Sequence, residues 1–116
     1  MLSVGPLISA LAAGNRAMIK MSEFTPATNQ VLTALLAEVF HADEVCLVEG
    51  EVEIAAAFSA LPFDHLLFTG STQVGRQVMK SAADTLTPVT LELGGKSPVI
   101  VAEDMRSEER RVGKEC

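Results

Sequence analysis

Apolar and polar positions change period repeatedly along this chain, and each change marks out a short element. Leu7, Ile8 and Leu11 share one helical face, which stops at Gly14-Asn15, a pair suited to ending a helix and turning the chain. Ala17-Met18-Ile19 reads as a buried strand that emerges into Lys20-Met21-Ser22-Glu23. Thr25-Pro26 predicts a helix start, with Thr25 as N-cap and Pro26 in the first turn, where its missing N–H costs nothing. Behind it Val31, Leu32, Leu35, Leu36, Val39 and Phe40 form one stripe at helical spacing. A strand at Val45–Val48 follows, then a helix through Ile54, Ala55, Phe58 and Leu61. Next come a strand at His65–Phe68, a turn at Thr69-Gly70-Ser71-Thr72, and a helix with Val74, Val78 and Ala82 on one face. Val89–Leu93 is a strand running into Gly94-Gly95, and Pro98–Val101 is expected to be another. Short, fully apolar strands alternating with helices predict an α/β fold, a mostly parallel sheet with helices on both faces. No internal repeat or linker interrupts the pattern.

Composition narrows the function classes. With 116 residues, 48% of them hydrophobic, the chain suits one α/β domain or part of one, and enzymes with separate cofactor and substrate sites are usually larger. A formal charge of −6 argues against nucleic acid or an anionic membrane as partner, because both call for basic patches. Tyr and Trp are absent, which removes the usual platform for stacking bases. Two cysteines are too few for a disulfide framework, so a reducing, cytoplasmic setting is expected, with Cys46 as a small apolar residue of its strand. No apolar run reaches the ~18 residues of a membrane span, and the apolar start lacks the basic region of a signal peptide.

The last eleven residues, Arg106–Cys116, break the pattern. They hold four of the nine basic residues and a single large apolar one, Val112. They also match the in-frame translation of a common sequencing-library adapter at all eleven positions. Residues 106–116 are therefore expected to be an adapter-derived, non-native tail, leaving residues 1–105 as the native-looking part.

Three stretches carry chemistry. Gly70-Ser71-Thr72-Gln73-Val74-Gly75 joins a strand to a helix, where backbone N–H groups and the helix dipole can hold a phosphate. Gly70 would let a ligand approach, Ser71 offers a hydroxyl, and Gly75 would bring the helix close to the sheet. The spacing is not G-x-G-x-x-G, so an ordinary tight turn remains open. Gly94-Gly95-Lys96-Ser97 is not a P-loop, because Thr90 stands where the first glycine of that motif belongs. What remains there is Glu92 at the end of an apolar strand. Such a carboxylate is either solvated, paired, or used as a general base, and the residues alone leave these choices open. Lys20 and Glu23 lie just past the C-terminal end of a strand, where open α/β sheets bind ligands, although the residues alone favour a plain surface ion pair. His41 and His65 have no cysteine or carboxylate at ligand spacing, and no metal site is expected.

Together, AAGNRAMIKMSEFTP, FTGSTQVG and TLELGGKSP, in this order, resemble the aldehyde dehydrogenase superfamily, with KMSE most similar to its coniferyl-aldehyde-dehydrogenase-like branch. The resemblance runs from Met1 to about Met105 and implies an incomplete, Rossmann-like NAD-binding portion of a larger enzyme. It places Lys20 and Glu23 at the adenosine ribose, Gly70 and Ser71 at the pyrophosphate, Leu93 and Gly94 near the nicotinamide end, and makes Glu92 the catalytic glutamate. It also implies NAD, with NADP possible, an aldehyde substrate oxidised to the acid through a cysteine thiohemiacetal and thioester, and a homo-oligomer, dimer or tetramer. The family's nucleophile lies in a G-Q-x-C setting some tens of residues past the glutamate. Cys116, 24 residues past Glu92 in Gly-Lys-Glu-Cys, does not match it. The oxyanion asparagine of the family's P-W-N segment is expected just upstream of Met1, and the fragment alone is expected to be inactive. The alternatives are a non-catalytic member of the superfamily and a free-standing nucleotide-binding module.

Overall fold

The computed structural model describes residues 2–100; the suggested tail 106–116 lies outside them. Eight elements follow in order: α1 (Val4–Ala12), β1 (Ala17–Lys20), α2 (Pro26–Val39), β2 (Val45–Val48), α3 (Val52–Ser59), β3 (Leu66–Gly70), α4 (Thr72–Ala83) and β4 (Val89–Leu93). The strict alternation is that of an α/β chain. Strands pair in parallel, each pair joined through a helical crossover, as β1 with β2 and β3 with β4. Among the described residues these are two separate two-stranded sheets rather than one continuous sheet.

Local chemistry explains where the elements stop. α1 ends in a full Schellman arrangement. Gly14 takes φ +77°, its N–H donates to the Leu11 carbonyl at 2.9 Å, and the Asn15 N–H donates to the Ala10 carbonyl at 3.0 Å. α4 ends the same way with a residue less suited to it. Leu86, at φ 55°, occupies the left-handed position while the Leu86 and Thr87 N–H groups reach back to the Ala83 and Ala82 carbonyls. Buried Thr87 then donates through its hydroxyl to the Phe63 carbonyl at 3.0 Å, tying the approach to β3 to the approach to β4.

The core is small: among the described residues, Leu7, Met21, Val45, Leu66 and Ala82 are the buried apolar side chains. α4 packs on both β3 and β4, α3 lies against α4, and α1 touches β1. The α2 stripe departs from expectation, because Val31, Leu35 and Val39 are exposed and only Leu32, Leu36 and Phe40 are half-buried. No described element covers that face; with α1 it borders an open groove of about 330 Å³ lined by Val4, Met21, Val31, Leu32 and Leu35 among others.

Three boundaries also differ. The predicted strand at Pro98–Val101 is absent over residues 98–100, with Val101 outside the described residues. A strand needs a hydrogen-bonded neighbour, none of the described strands pairs with this stretch, and Val99 and Ile100 stand in solvent. β3 runs on through Gly70 and α4 begins at Thr72, so the expected four-residue turn contracts to Ser71. α3 ends at Ser59 rather than Leu61.

Candidate functional site

The β3–β4 register brings the phosphate-turn candidates beside the candidate base. Gly70 is the Cα partner of Leu93, and Thr69 that of Glu92, at the C-terminal ends of two parallel strands. Neighbouring strands lie about 4.8 Å apart, so these strand ends and the start of α4 form one edge. Glu92 is exposed there, while Leu93 is half-buried. The Glu92 carboxylate is therefore open to a ligand or a water.

Ser71 joins β3 to α4 with extended backbone (φ −71°, ψ 150°), and its Oγ accepts from the Val74 N–H at 3.2 Å as a true N-cap. The first turn of α4 carries no acidic residue, so the positive end of the helix dipole is not neutralised by the chain itself. The first N–H groups of a helix have no partner inside it, and an anion is a natural acceptor for them. Two glycines shape this edge through space rather than through backbone freedom. At Gly70 a Cβ would stand 2.6 Å from Phe68 Cζ, so the ring lies where a side chain would be. At buried Gly75 a Cβ would stand 2.8 Å from Leu93 Cδ2, which is how α4 sits down on β4. Gly94 is exposed, and a Cβ there would meet nothing within 4 Å.

Lys20 and Glu23 form the second cluster, at the end of β1. The Lys20 Nζ donates to Glu23 Oε2 at 3.1 Å; the lysine side chain is 12% exposed and the glutamate 35%. The Glu23 carboxyl is held below its ordinary value, first by its own backbone N–H and then by the Lys20 hydrogen bond. The loop behind it contains a residue that sequence reasoning missed. Asn29, in the second turn of α2, is 2% exposed and is the largest fully buried side chain among the described residues. Its Nδ2 donates to the Ser22 carbonyl at 2.8 Å, and its Oδ1 accepts from the Thr25 hydroxyl at 3.2 Å. Thr25 occupies the N-cap position as expected, but its hydroxyl serves Asn29 and makes no side-chain cap bond. A polar residue on an amphipathic helix reads as solvent-facing; the one available signal was its place a single turn beyond a Ser/Thr-containing loop. Among the described residues, no group of three metal-binding side chains comes together, and no helix is long and apolar enough to cross a membrane.

Parallel β–α–β units, with a helix start and a Lys–Glu pair at strand ends, define an α/β chain. Comparison with known proteins narrows this: the aldehyde dehydrogenase family profile matches residues 1–111, and the chain belongs to that family. The match continues past Met105 into the stretch set apart above. The probable coniferyl aldehyde dehydrogenase of Pseudomonas aeruginosa is 65% identical over 104 residues, covering 90% of this chain and 22% of that protein. Substrate-bound AldH of Staphylococcus aureus superposes with a TM-score of 0.78 at 51% identity, over 84% of this chain and 21% of that one. A mutant aldehyde dehydrogenase C of Pseudomonas syringae, solved with NAD+ and octanal, gives 0.70 at 36% identity, over 77% and 19%. The chain thus spans about a fifth of the length of the relatives it matches.

Proposed function

We propose that this chain is part of the NAD-binding region of an enzyme that oxidises an aldehyde to a carboxylic acid. The observation that carries the reading is the β3–β4 register, which sets the Ser71-capped start of α4 beside Leu93 and Glu92. The donor set fits the dinucleotide. The start of α4 and the Ser71 hydroxyl suit the pyrophosphate, Lys20 and Glu23 suit the adenosine ribose, and Leu93 and Gly94 border the nicotinamide end. Bound NAD supplies a hydride acceptor. The chain's own share is to orient that acceptor and to hold at Glu92 a carboxylate that takes a proton from the water attacking a thioester. The thioester-forming cysteine and the oxyanion asparagine belong to other parts of the enzyme, so residues 1–105 alone do not turn over. Similarity to the probable coniferyl aldehyde dehydrogenase supports an aromatic, coniferyl-type aldehyde as substrate. We further read the enzyme as a cytoplasmic homo-oligomer and residues 106–116 as foreign; sequencing the source gene across Met105 tests the last point.

Glu23 supports NAD over NADP. Its carboxylate can accept from the ribose hydroxyls, whereas a 2′-phosphate would bring two anions together at a cost of about 1 kcal/mol in water and about 4 kcal/mol at an effective dielectric of 20, for ~4 Å separation. That repulsion supports discrimination of roughly tenfold or more, and Lys20 opposes it by offering the phosphate a cation. The test is aldehyde-dependent reduction of NAD and of NADP by the enzyme that carries this sequence. An enzyme that neither binds NAD nor oxidises aldehydes overturns the reading.

A further inference from the structure

We propose that Asn29 is a positioning residue for cofactor selection, a role resting on the reading of Glu23 as the ribose acceptor. Glu23 lies in a short loop between β1 and α2, in a stretch with no strand partner beyond Met21, whose N–H still donates to the Val48 carbonyl at 2.9 Å. Nothing in the loop's own backbone fixes it firmly: the Thr25 N–H reaches the Ser22 carbonyl at only 3.4 Å, and the Phe24 N–H reaches the Ser22 hydroxyl at 3.3 Å. Asn29 grips both shoulders of the Glu23-Phe24 pair. Its amide donates to the Ser22 carbonyl at 2.8 Å, the shortest bond in the loop, and its carbonyl oxygen accepts from the Thr25 hydroxyl at 3.2 Å. Its own N–H, donating to the Thr25 carbonyl at 3.0 Å, fixes that grip to the first turn of α2.

Burial gives the grip its strength. Asn29 is 2% exposed, so its amide has little access to water and would be left a buried, unpaired polar group if either bond were lost. Glu23, by contrast, is exposed, and its carboxylate is held by its own backbone N–H and by Lys20, so its direction follows the stretch of backbone that Asn29 grips. The direction of that carboxylate, and with it the choice between a ribose diol and a 2′-phosphate, is therefore set from behind by Asn29.

A double-mutant cycle in the intact enzyme tests this, reading kcat/KM for NAD and NADP with Glu23→Gln, Asn29→Ala and the pair. Glu23→Gln should lower the NAD/NADP ratio, and Asn29→Ala should lower it about threefold to tenfold, mainly through KM for NAD with kcat nearly unchanged. In the Glu23→Gln background Asn29→Ala should add nothing, because it acts through the carboxylate. Should Asn29→Ala fail to fold, Thr25→Val removes one arm of the grip at an exposed residue, and Thr25→Ser should restore the wild-type ratio. Equal losses with both cofactors, or an Asn29 effect that adds fully to that of Glu23→Gln, overturns the positioning role while leaving the ribose reading intact. No response to Glu23→Gln removes the ribose reading itself, and the positioning role with it.

Discussion

Gly75 lies so tightly against Leu93 that a β-carbon on the helix residue would stand 2.8 Å from the leucine Cδ2. This contact seats α4 on β4, beside Glu92. Two effects compete in Gly75→Ala. Alanine favours a helix by about 0.8–1.0 kcal/mol over glycine, while the new methyl must push aside the flexible end of Leu93. Stability should therefore stay within about 1 kcal/mol of the parent, whereas NAD affinity falls because Leu93 moves. Gly75→Val adds a branch the leucine cannot avoid and should cost about 1–3 kcal/mol. Denaturant unfolding and NAD titration of both variants check this; unchanged stability in Gly75→Val would show that α4 does not rest on Leu93.

At the other end of α4, Leu86 holds a left-handed conformation at 88% exposure. An L-residue there costs roughly 1–2 kcal/mol, which glycine avoids. Glycine gives back about 0.4–1 kcal/mol through greater freedom in the unfolded chain. Leu86→Gly should thus stabilise the chain by about 0.5–1 kcal/mol, since little apolar burial is lost. Chemical denaturation of the 116-residue chain measures it, and a destabilised variant would mean Leu86 makes contacts that outweigh its backbone strain.

These two positions also mark how far the sequence could be read. Val45–Val48 and Val89–Leu93 were legible as strands because they are short, mainly apolar runs bounded by turn signals. Pro26 at the start of α2 and Gly14 at the end of α1 announced themselves through fixed backbone preferences. Glu92, Ser71 and the Lys20–Glu23 pair were legible as residues at strand ends, since the motifs around them are local. Burial was not. Val31, Leu35 and Val39 have the spacing of a covered stripe, but covering it requires a surface that no described element supplies. The strand expected from Pro98 failed over residues 98–100 for the same reason, because strand character depends on a neighbour that local pattern does not encode. Asn29 escaped notice because its partner, Ser22, lies seven residues away and is a backbone carbonyl, which sequence cannot mark.

The Lys20–Glu23 pair has a pH signature. The folded carboxyl titrates below its ordinary value, so the stability it contributes is present above about pH 4.3, the usual glutamate value, and is lost as pH falls through the depressed folded value. At neutral pH both states are ionised and the contribution is complete. Because the backbone N–H, the largest single cause, stays in place, Lys20→Met should return only part of the shift. Following the Glu23 carboxyl by NMR across the acid range checks both the direction and the division; a full return to the ordinary value would assign the whole effect to the lysine.

Glu92 offers the sharpest separation of chemistry from folding. Its side chain is exposed at the end of β4, with Thr69 opposite on β3, so Glu92→Gln keeps the shape and removes only the charge and the basic oxygen. Surface substitutions of this kind shift stability by less than about 0.5 kcal/mol. If Glu92 takes the proton from the water that hydrolyses the thioester, the loss appears in that step alone, as a slowing of roughly 10²–10⁴-fold. Hydride transfer precedes hydrolysis, so rapid mixing of the intact variant with NAD and aldehyde should still give a first burst of reduced cofactor near one per active site. The steady rate after the burst should then collapse, with KM for NAD little changed because the cofactor's other contacts remain. A burst lost in proportion to the steady rate would move Glu92 to an earlier step. Near-normal turnover would remove it from the chemistry and leave a solvated glutamate at the end of a strand.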